Sequence, residues 1–274
     1  MIDASTFLFI YFSVVVFLLG GCIGSFLNVC VYRIPREESV VKPRSHCPHC
    51  GTMIAWYDNF PFFSFLLLGA RCRHCKSPIS VRYFLVELLT AVLFLLVWLH
   101  YGLDLRTPVY WLMVSGLVLG MFVDFEHMII PDRVTIGGMV AGLVLSPLVP
   151  SLHGETTWLP SLIQAVIGLV LGSGSLWLVG VLGKLAFKKD AMGFGDVKLL
   201  GGLGALLGWQ AVLFIIMVSA CMGSIVGISL VVGRRKEWQS RLPYGPYIAA
   251  AAVLWILWGA GWWQMYMEWF AAPI

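Results

Sequence analysis

Long apolar runs separated by short polar breaks dominate this chain. A membrane-spanning helix takes about 20 predominantly apolar residues, and runs of that kind lie near 5–32, 83–101, 108–126, 133–150, 160–186, 197–208, 209–233 and 246–270. They predict about eight transmembrane helices. The sixth is short and is able to merge with the seventh through "LLGWQ" at 206–210. One longer polar stretch, roughly 33–82, predicts a small soluble domain between the first two helices. The expected organisation is therefore a first transmembrane helix (1–32), a polar domain (33–82) and a membrane domain (83–274). The first apolar run has no basic segment before it and no small-residue cleavage pattern after it, which predicts an anchor rather than a removed signal peptide.

Composition agrees with the pattern. Of 274 residues, 59% are hydrophobic and only 12% are charged, against about 25% charged in soluble domains; mean hydropathy is +0.88. The fold class expected is an all-α polytopic membrane protein. The placement of the charges matters more than the net value of +4. Arg33, Arg36, Lys42, Arg44, Arg71, Arg73, Lys76 and Arg82 crowd the polar domain, which the positive-inside rule puts in the cytoplasm. Alternation through eight spans then brings Arg133, Lys184, Lys188, Lys189, Lys198, Arg234, Arg235, Lys236 and Arg241 to the same side. Of the 18 basic residues, Arg106 alone falls on the other. Both termini are then expected outside the cytoplasm.

Four of the seven cysteines form "CPHC" (47–50) and "CRHC" (72–75). Paired thiolates on two tight knuckles suit tetrahedral zinc. A segment of about 50 residues cannot build a firm core unaided, and a metal would supply the missing folding energy. Cytoplasmic placement argues against disulfides. Four sulfur ligands leave no open position, so Cys47, Cys50, Cys72 and Cys75 are expected to hold a structural rather than a catalytic zinc. His46, His49 and His74 flank the knuckles as competing ligands or as surface residues. Zinc ribbons also bind nucleic acid, but this one is tethered to a membrane and has few aromatics placed for base stacking. Cys22, Cys30 and Cys221 lie in apolar runs and read as small packing residues.

Three acids fall within or at the edge of apolar runs: Glu87, Asp124 and Asp196. An ionisable group in hydrocarbon costs roughly 2.5–3.5 kcal/mol on insertion scales and marks a functional site by default. Asp124 ends the third run in "GMFVDFEHMIIPD" and Asp196 opens the sixth in "GFGD", at the same depth near the cytoplasmic face. Two carboxylates held close together cannot both ionise easily and share a proton. The ionised one activates water and the protonated one polarises a carbonyl, which is amide hydrolysis without a covalent intermediate. Gly193 and Gly195 permit close approach and unusual dihedrals beside Asp196. Lys198 either orients and neutralises the site or is a topology lysine. Each acid also has a plain alternative: a helix cap for Asp124 and Asp196 and, after Pro131, for Asp132; Glu87 either pairs with a neighbouring helix or helps a second activity.

The ordered set of motifs "GSFLNVCVYRIP" (24–35), the two cysteine knuckles, "ISVRYFLVELLTA" (79–91), "DFEHMIIPDRVT" (124–135), "GFGDVKLL" (193–200) and "PYGPYIAAA" (243–251) resembles the bacterial type IV prepilin peptidases. These are intramembrane aspartyl proteases of the glycine-x-glycine-aspartate class. The resemblance covers nearly the whole chain. It implies cleavage of the basic leader of type IV prepilins or pseudopilins after a glycine, at the cytoplasmic face of the bacterial inner membrane. It also implies methylation of the new N-terminal amine from S-adenosylmethionine. Asp124 and Asp196 take the family's catalytic places, and the four cysteines its knuckles. One departure is "GARC", with Ala70 where the family often has glycine. No S-adenosylmethionine motif is visible, and the polar domain is too short for a Rossmann-type unit, so a methyl-donor site has to be built from the knuckle segment and helix ends. The partners expected are the prepilin and the lipid bilayer, with no nucleic acid. Competing classes are an intramembrane aspartyl protease for another substrate, a proton-coupled transporter, which would show repeated halves and a midplane site, and a non-catalytic scaffold.

Overall fold

The computed structural model describes residues 4–188, 192–233 and 242–271. Lys189, Arg234, Arg235, Lys236 and Arg241, which contributed to the orientation argument, lie outside the described residues. The chain is helical: α1 (Ala4–Arg33), a short α2 (Phe63–Leu67), α3 (Val81–Tyr101), α4 (Arg106–His127), α5 (Asp132–Leu148), α6 (Trp158–Phe187), α7 (Phe194–Leu207), α8 (Trp209–Val232), α9 (Gly245–Leu254) and α10 (Ala260–Ala271). A single π turn over Trp255–Gly259 joins α9 to α10. Each apolar run is one helical segment, and six of the eight segments are long and apolar enough to cross a membrane. The exceptions are α5, with 17 residues, and α7, with 14. The sixth and seventh runs do not merge, because Gly208 takes φ +84° and ends α7 before α8 begins. The molecule is a multi-pass membrane protein.

Contacts divide the chain into two compact units, Met1–Leu119 and Gly120–Ile274. In the first, α1 packs along α3 with almost no side chain between them. A Cβ on Gly20 would lie 2.7 Å from the Ala91 Cα, and one on Gly24 would lie 2.7 Å from the Glu87 Cα. Glycines four residues apart let two membrane helices touch backbone to backbone. Beside them the Phe94 and Trp111 rings stack at 5.3 Å, and the Trp111 indole N–H donates to the Phe94 carbonyl.

In the second unit α7 is wedged between α5 and α6. Gly204 meets Gly168 backbone to backbone, Gly172 faces the Leu200 carbonyl, and a Cβ on Gly142 would sit 2.5 Å from the Ala205 Cβ. From Val197 to Leu207 every residue of α7 except Lys198 is buried. At the C-terminal end of α7 a buried polar cluster closes the unit. The Ser146 hydroxyl donates to the Ala205 carbonyl (2.9 Å), the Ser161 hydroxyl donates to the Ser146 carbonyl (2.7 Å), and the His153 Nε2 lies 3.0 Å from the Ser146 hydroxyl.

His153, in the turn between α5 and α6, has its pKa pushed down by burial from 6.5 to about 4. Between those values the unfolded chain binds a proton that the folded chain refuses, so stability falls as pH drops from about 6.5 to about 4 and levels off below. The full shift corresponds to about 3 kcal/mol. Thermal unfolding in detergent, followed by tryptophan fluorescence, should show that loss between pH 7 and 4.5, and His153→Gln should flatten the slope.

Candidate active site and metal centre

Asp124 lies in the last turn of α4 and Asp196 in the first turn of α7; they are 5% and 9% exposed. The end of α4 and the starts of α5, α7 and α9 meet here. Asp124 is held from α9: its Oδ2 accepts from the Gly245 N–H at 3.0 Å, one of the unpaired donors at a helix start, where the dipole favours a carboxylate. Asp196 is not an N-cap. Gly193 holds that position, and the Asp196 carboxylate accepts back from the Gly193 N–H, one half of a capping box. Ile130 packs against the glycine beside Asp196 and the glycine that binds Asp124. A Cβ on Gly195 would lie 3.2 Å from its Cβ, and a Cβ on Gly245 would lie 3.2 Å from its Cδ1. The charge of Asp124 bears directly on Asp196, so 72 residues of sequence separation close into one site.

Gly193 and Gly195 serve close approach. A Cβ on Gly193 would meet the Asp196 carboxylate at 3.0 Å, and one on Gly195 would meet Ile130. The Lys198 Nζ pairs with Asp132 at 2.7 Å and lies over the Phe194 ring. Asp132 is the first residue of α5, after Pro131 at the cap, and the pair ties α5 to α7. Three further groups belong to this site and are invisible in a residue pattern: the Gly245 N–H, Ile130 and Tyr244. Tyr244 lies within the field of Asp196, and its hydroxyl is 2.7 Å from that of Ser219. The quoted "PYGPY" contained two of them, but nothing in the letters says that its glycine amide reaches Asp124.

The four knuckle cysteines form the second centre, and the three histidines stay outside it. The Sγ atoms of Cys47, Cys50, Cys72 and Cys75 all lie within 4.8 Å of one another, and those of Cys47 and Cys75 are 3.8 Å apart. That is too long for a disulfide of about 2.05 Å. It matches the edge of a tetrahedron with metal–sulfur bonds of about 2.3 Å, also about 3.8 Å. The donor set fits a closed tetrahedral metal site.

The two knuckles repeat one hydrogen-bond plan. The Cys47 N–H donates to the Thr52 carbonyl and the Cys72 N–H to that of Ser77; the Gly51 N–H returns to the Cys47 carbonyl and the Lys76 N–H to that of Cys72. Gly51 and Lys76 both take the left-handed conformation that closes such a turn, at φ +69° and +58°. Hydrogen bonds from Ser77 bring the Cys75 thiol down to about 6, while burial pushes Cys47 up to about 11. Ala70 has φ +56°, so the left-handed turn persists there without glycine.

Comparison with known proteins matches the same two parts of the chain. Residues 18–101 match the model of the bacterial peptidase A24 N-terminal domain, and residues 111–228 match that of the type IV leader peptidase family. Among curated proteins, a prepilin leader peptidase/N-methyltransferase of Myxococcus xanthus is 40% identical over 85% of this chain and 69% of its own length. Proteins with that same name from Aeromonas hydrophila and Pseudomonas aeruginosa are 38% and 36% identical, over 91% of both chains and over 88% and 89% respectively. No solved structure matches the chain. With two buried acids meeting in one unit, a four-cysteine centre in the other, and relatives of this identity over nearly full length, the chain belongs to the prepilin leader peptidase/N-methyltransferase family.

Proposed function

We propose that this membrane enzyme cleaves the leader of a type IV prepilin or pseudopilin after a glycine and then methylates the new N-terminal amine from S-adenosylmethionine. Asp124 and Asp196 act as the catalytic pair. One carboxylate takes the proton of a bound water, the other, protonated, donates to the scissile carbonyl, and the same proton inventory serves collapse of the tetrahedral intermediate. The Gly245 N–H keeps the Asp124 carboxylate oriented, and Gly193 and Gly195 leave room for an extended backbone. The supporting observation is the meeting of Asp124, Asp196 and the start of α9 around Ile130. The pair faces the cytoplasm of the bacterial inner membrane, as the clustering of basic residues indicates. Zinc fills the four-cysteine site and carries a structural load.

The direct test incubates purified protein in detergent with a prepilin, with and without S-adenosylmethionine, and weighs the product. Loss of the leader plus one methyl is the expected result. An uncut precursor beside an active control enzyme would overturn the assignment. Gly245→Ala gives a sharper check on the site. Its Cβ would lie 2.8 Å from the Asp124 Oδ2, so the carboxylate has to leave its donor, and single-turnover cleavage should slow by about 10- to 100-fold as a positioning hydrogen bond is lost.

A further inference from the structure

The first unit contains a cavity of 580 Å³ between the knuckles and the α1–α3 pair, and leader cleavage makes no use of it. Two buried polar side chains from the paired helices line it. Glu87 on α3 is 9% exposed and Asn28 on α1 is 1% exposed. The Asn28 Nδ2 donates to the Tyr83 carbonyl (2.9 Å), but its Oδ1, also buried, has no partner. A buried acceptor left unpaired costs about 1–3 kcal/mol, and a functional role is one of the reasons such a group is retained.

Glu87 accepts at 3.0 Å from the N–H of Phe62 and also from Ser25. Phe62 has φ +61°, which for a bulky residue is a genuine backbone outlier of the sort that functional sites retain. Across the cavity Arg33, 6% exposed, holds the Ser39 and Pro43 carbonyls. Among the described residues no carboxylate lies within ion-pair distance of it.

We propose that this cavity is the S-adenosylmethionine site, which rests on the methyltransferase half of the proposed function. The donor is a zwitterionic amino acid carrying a sulfonium cation and an adenine. Glu87 and the Asn28 Oδ1 suit the cationic sulfonium, and Arg33 suits the α-carboxylate. The Tyr83 and Phe84 rings supply an apolar wall for the base. When bound, the donor provides an activated methyl. The lone pair of the neutral pilin amine forms the new C–N bond, the C–S pair stays on sulfur to give the neutral thioether, and the amine's surplus proton leaves to water. Cys47 and Cys72 line the same cavity, so the metal centre shapes the donor site without touching the chemistry.

Calorimetry on full-length, metal-loaded protein in detergent tests the assignment with S-adenosylmethionine and with its product S-adenosylhomocysteine, whose sulfur is a neutral thioether. Asn28→Leu should weaken both by about tenfold or more. Glu87→Gln should weaken the sulfonium donor about tenfold or more while the product changes less, a split that a merely structural Glu87 would not give. Leader cleavage together with retained metal in the same preparations shows that both units of each variant are folded. Wild-type affinity in both cleaving variants would overturn the site. Should a variant fail to fold, photolabelling of the wild-type protein with radiolabelled S-adenosylmethionine decides. Label within 25–87 supports the cavity, and label confined to the rest of the chain overturns it. Wild-type protein that binds the donor and methylates the pilin, but labels elsewhere, refutes the cavity alone; no binding and no methylation would remove the transferase function with it.

Discussion

Asp124→Asn and Asp196→Asn should each slow leader cleavage by about a thousandfold or more, since each removes one partner of a general acid–base pair. The amide keeps the size of the carboxylate, and its oxygen can still accept from the Gly245 N–H that now bonds Asp124 or from the Gly193 N–H that bonds Asp196. The fold should therefore survive. Methyl-donor binding, which uses residues of the other unit, should stay at its wild-type level and serves as the internal control. Single-turnover cleavage read by intact mass is the measurement. A variant that binds donor normally and cleaves within tenfold of wild type would remove its aspartate from the chemistry.

Loss of the metal should be the second large effect. The knuckle segment has little apolar core: among its described residues Cys47 and Phe62 are the buried hydrophobic ones, while Val41, Met53, Tyr57 and Leu67 are exposed. Structural zinc in small domains contributes about 10–16 kcal/mol of binding free energy, which is also folding free energy. Cys47→Ser, or treatment with a strong chelator, should open residues 43–80 to proteolysis and abolish S-adenosylmethionine binding. Metal analysis should find one zinc per chain before treatment and none after. A knuckle segment that stays protease-resistant without metal would show that its backbone turns suffice.

The membrane architecture was legible because lipid leaves the sequence few options. Every span has to be an apolar run, and the eight runs became eight helical segments within two or three residues of their expected ends. Gly208 separated α7 from α8 where the letters allowed a merger, since only the backbone shows a left-handed stop. The two acids were legible as charges in apolar surroundings. Lys198 was not, because its partner Asp132 is 66 positions away and the pairing depends on how α5 meets α7. The Gly245 amide was hidden for a different reason: a backbone donor carries no side-chain signature. The donor cavity was legible only as a region, the knuckle segment and helix ends; its residues were hidden, because an orphaned Asn28 oxygen is a property of packing between helices and not of any motif.

The glycine contacts of α7 also decide which part of the active site can move. Gly204 against Gly168 and Gly172 against the Leu200 carbonyl leave no room for α7 to slide or rotate against α6 without one backbone crossing another. Asp196, carried on the first turn of that helix, is thus a fixed reference point. Asp124 hangs on the last turn of α4 by a single amide from α9. Any adjustment of the distance between the two carboxylates during turnover has to come from the Asp124 side, so substrate-dependent exchange broadening should appear at α4 and α9 while α7 stays silent.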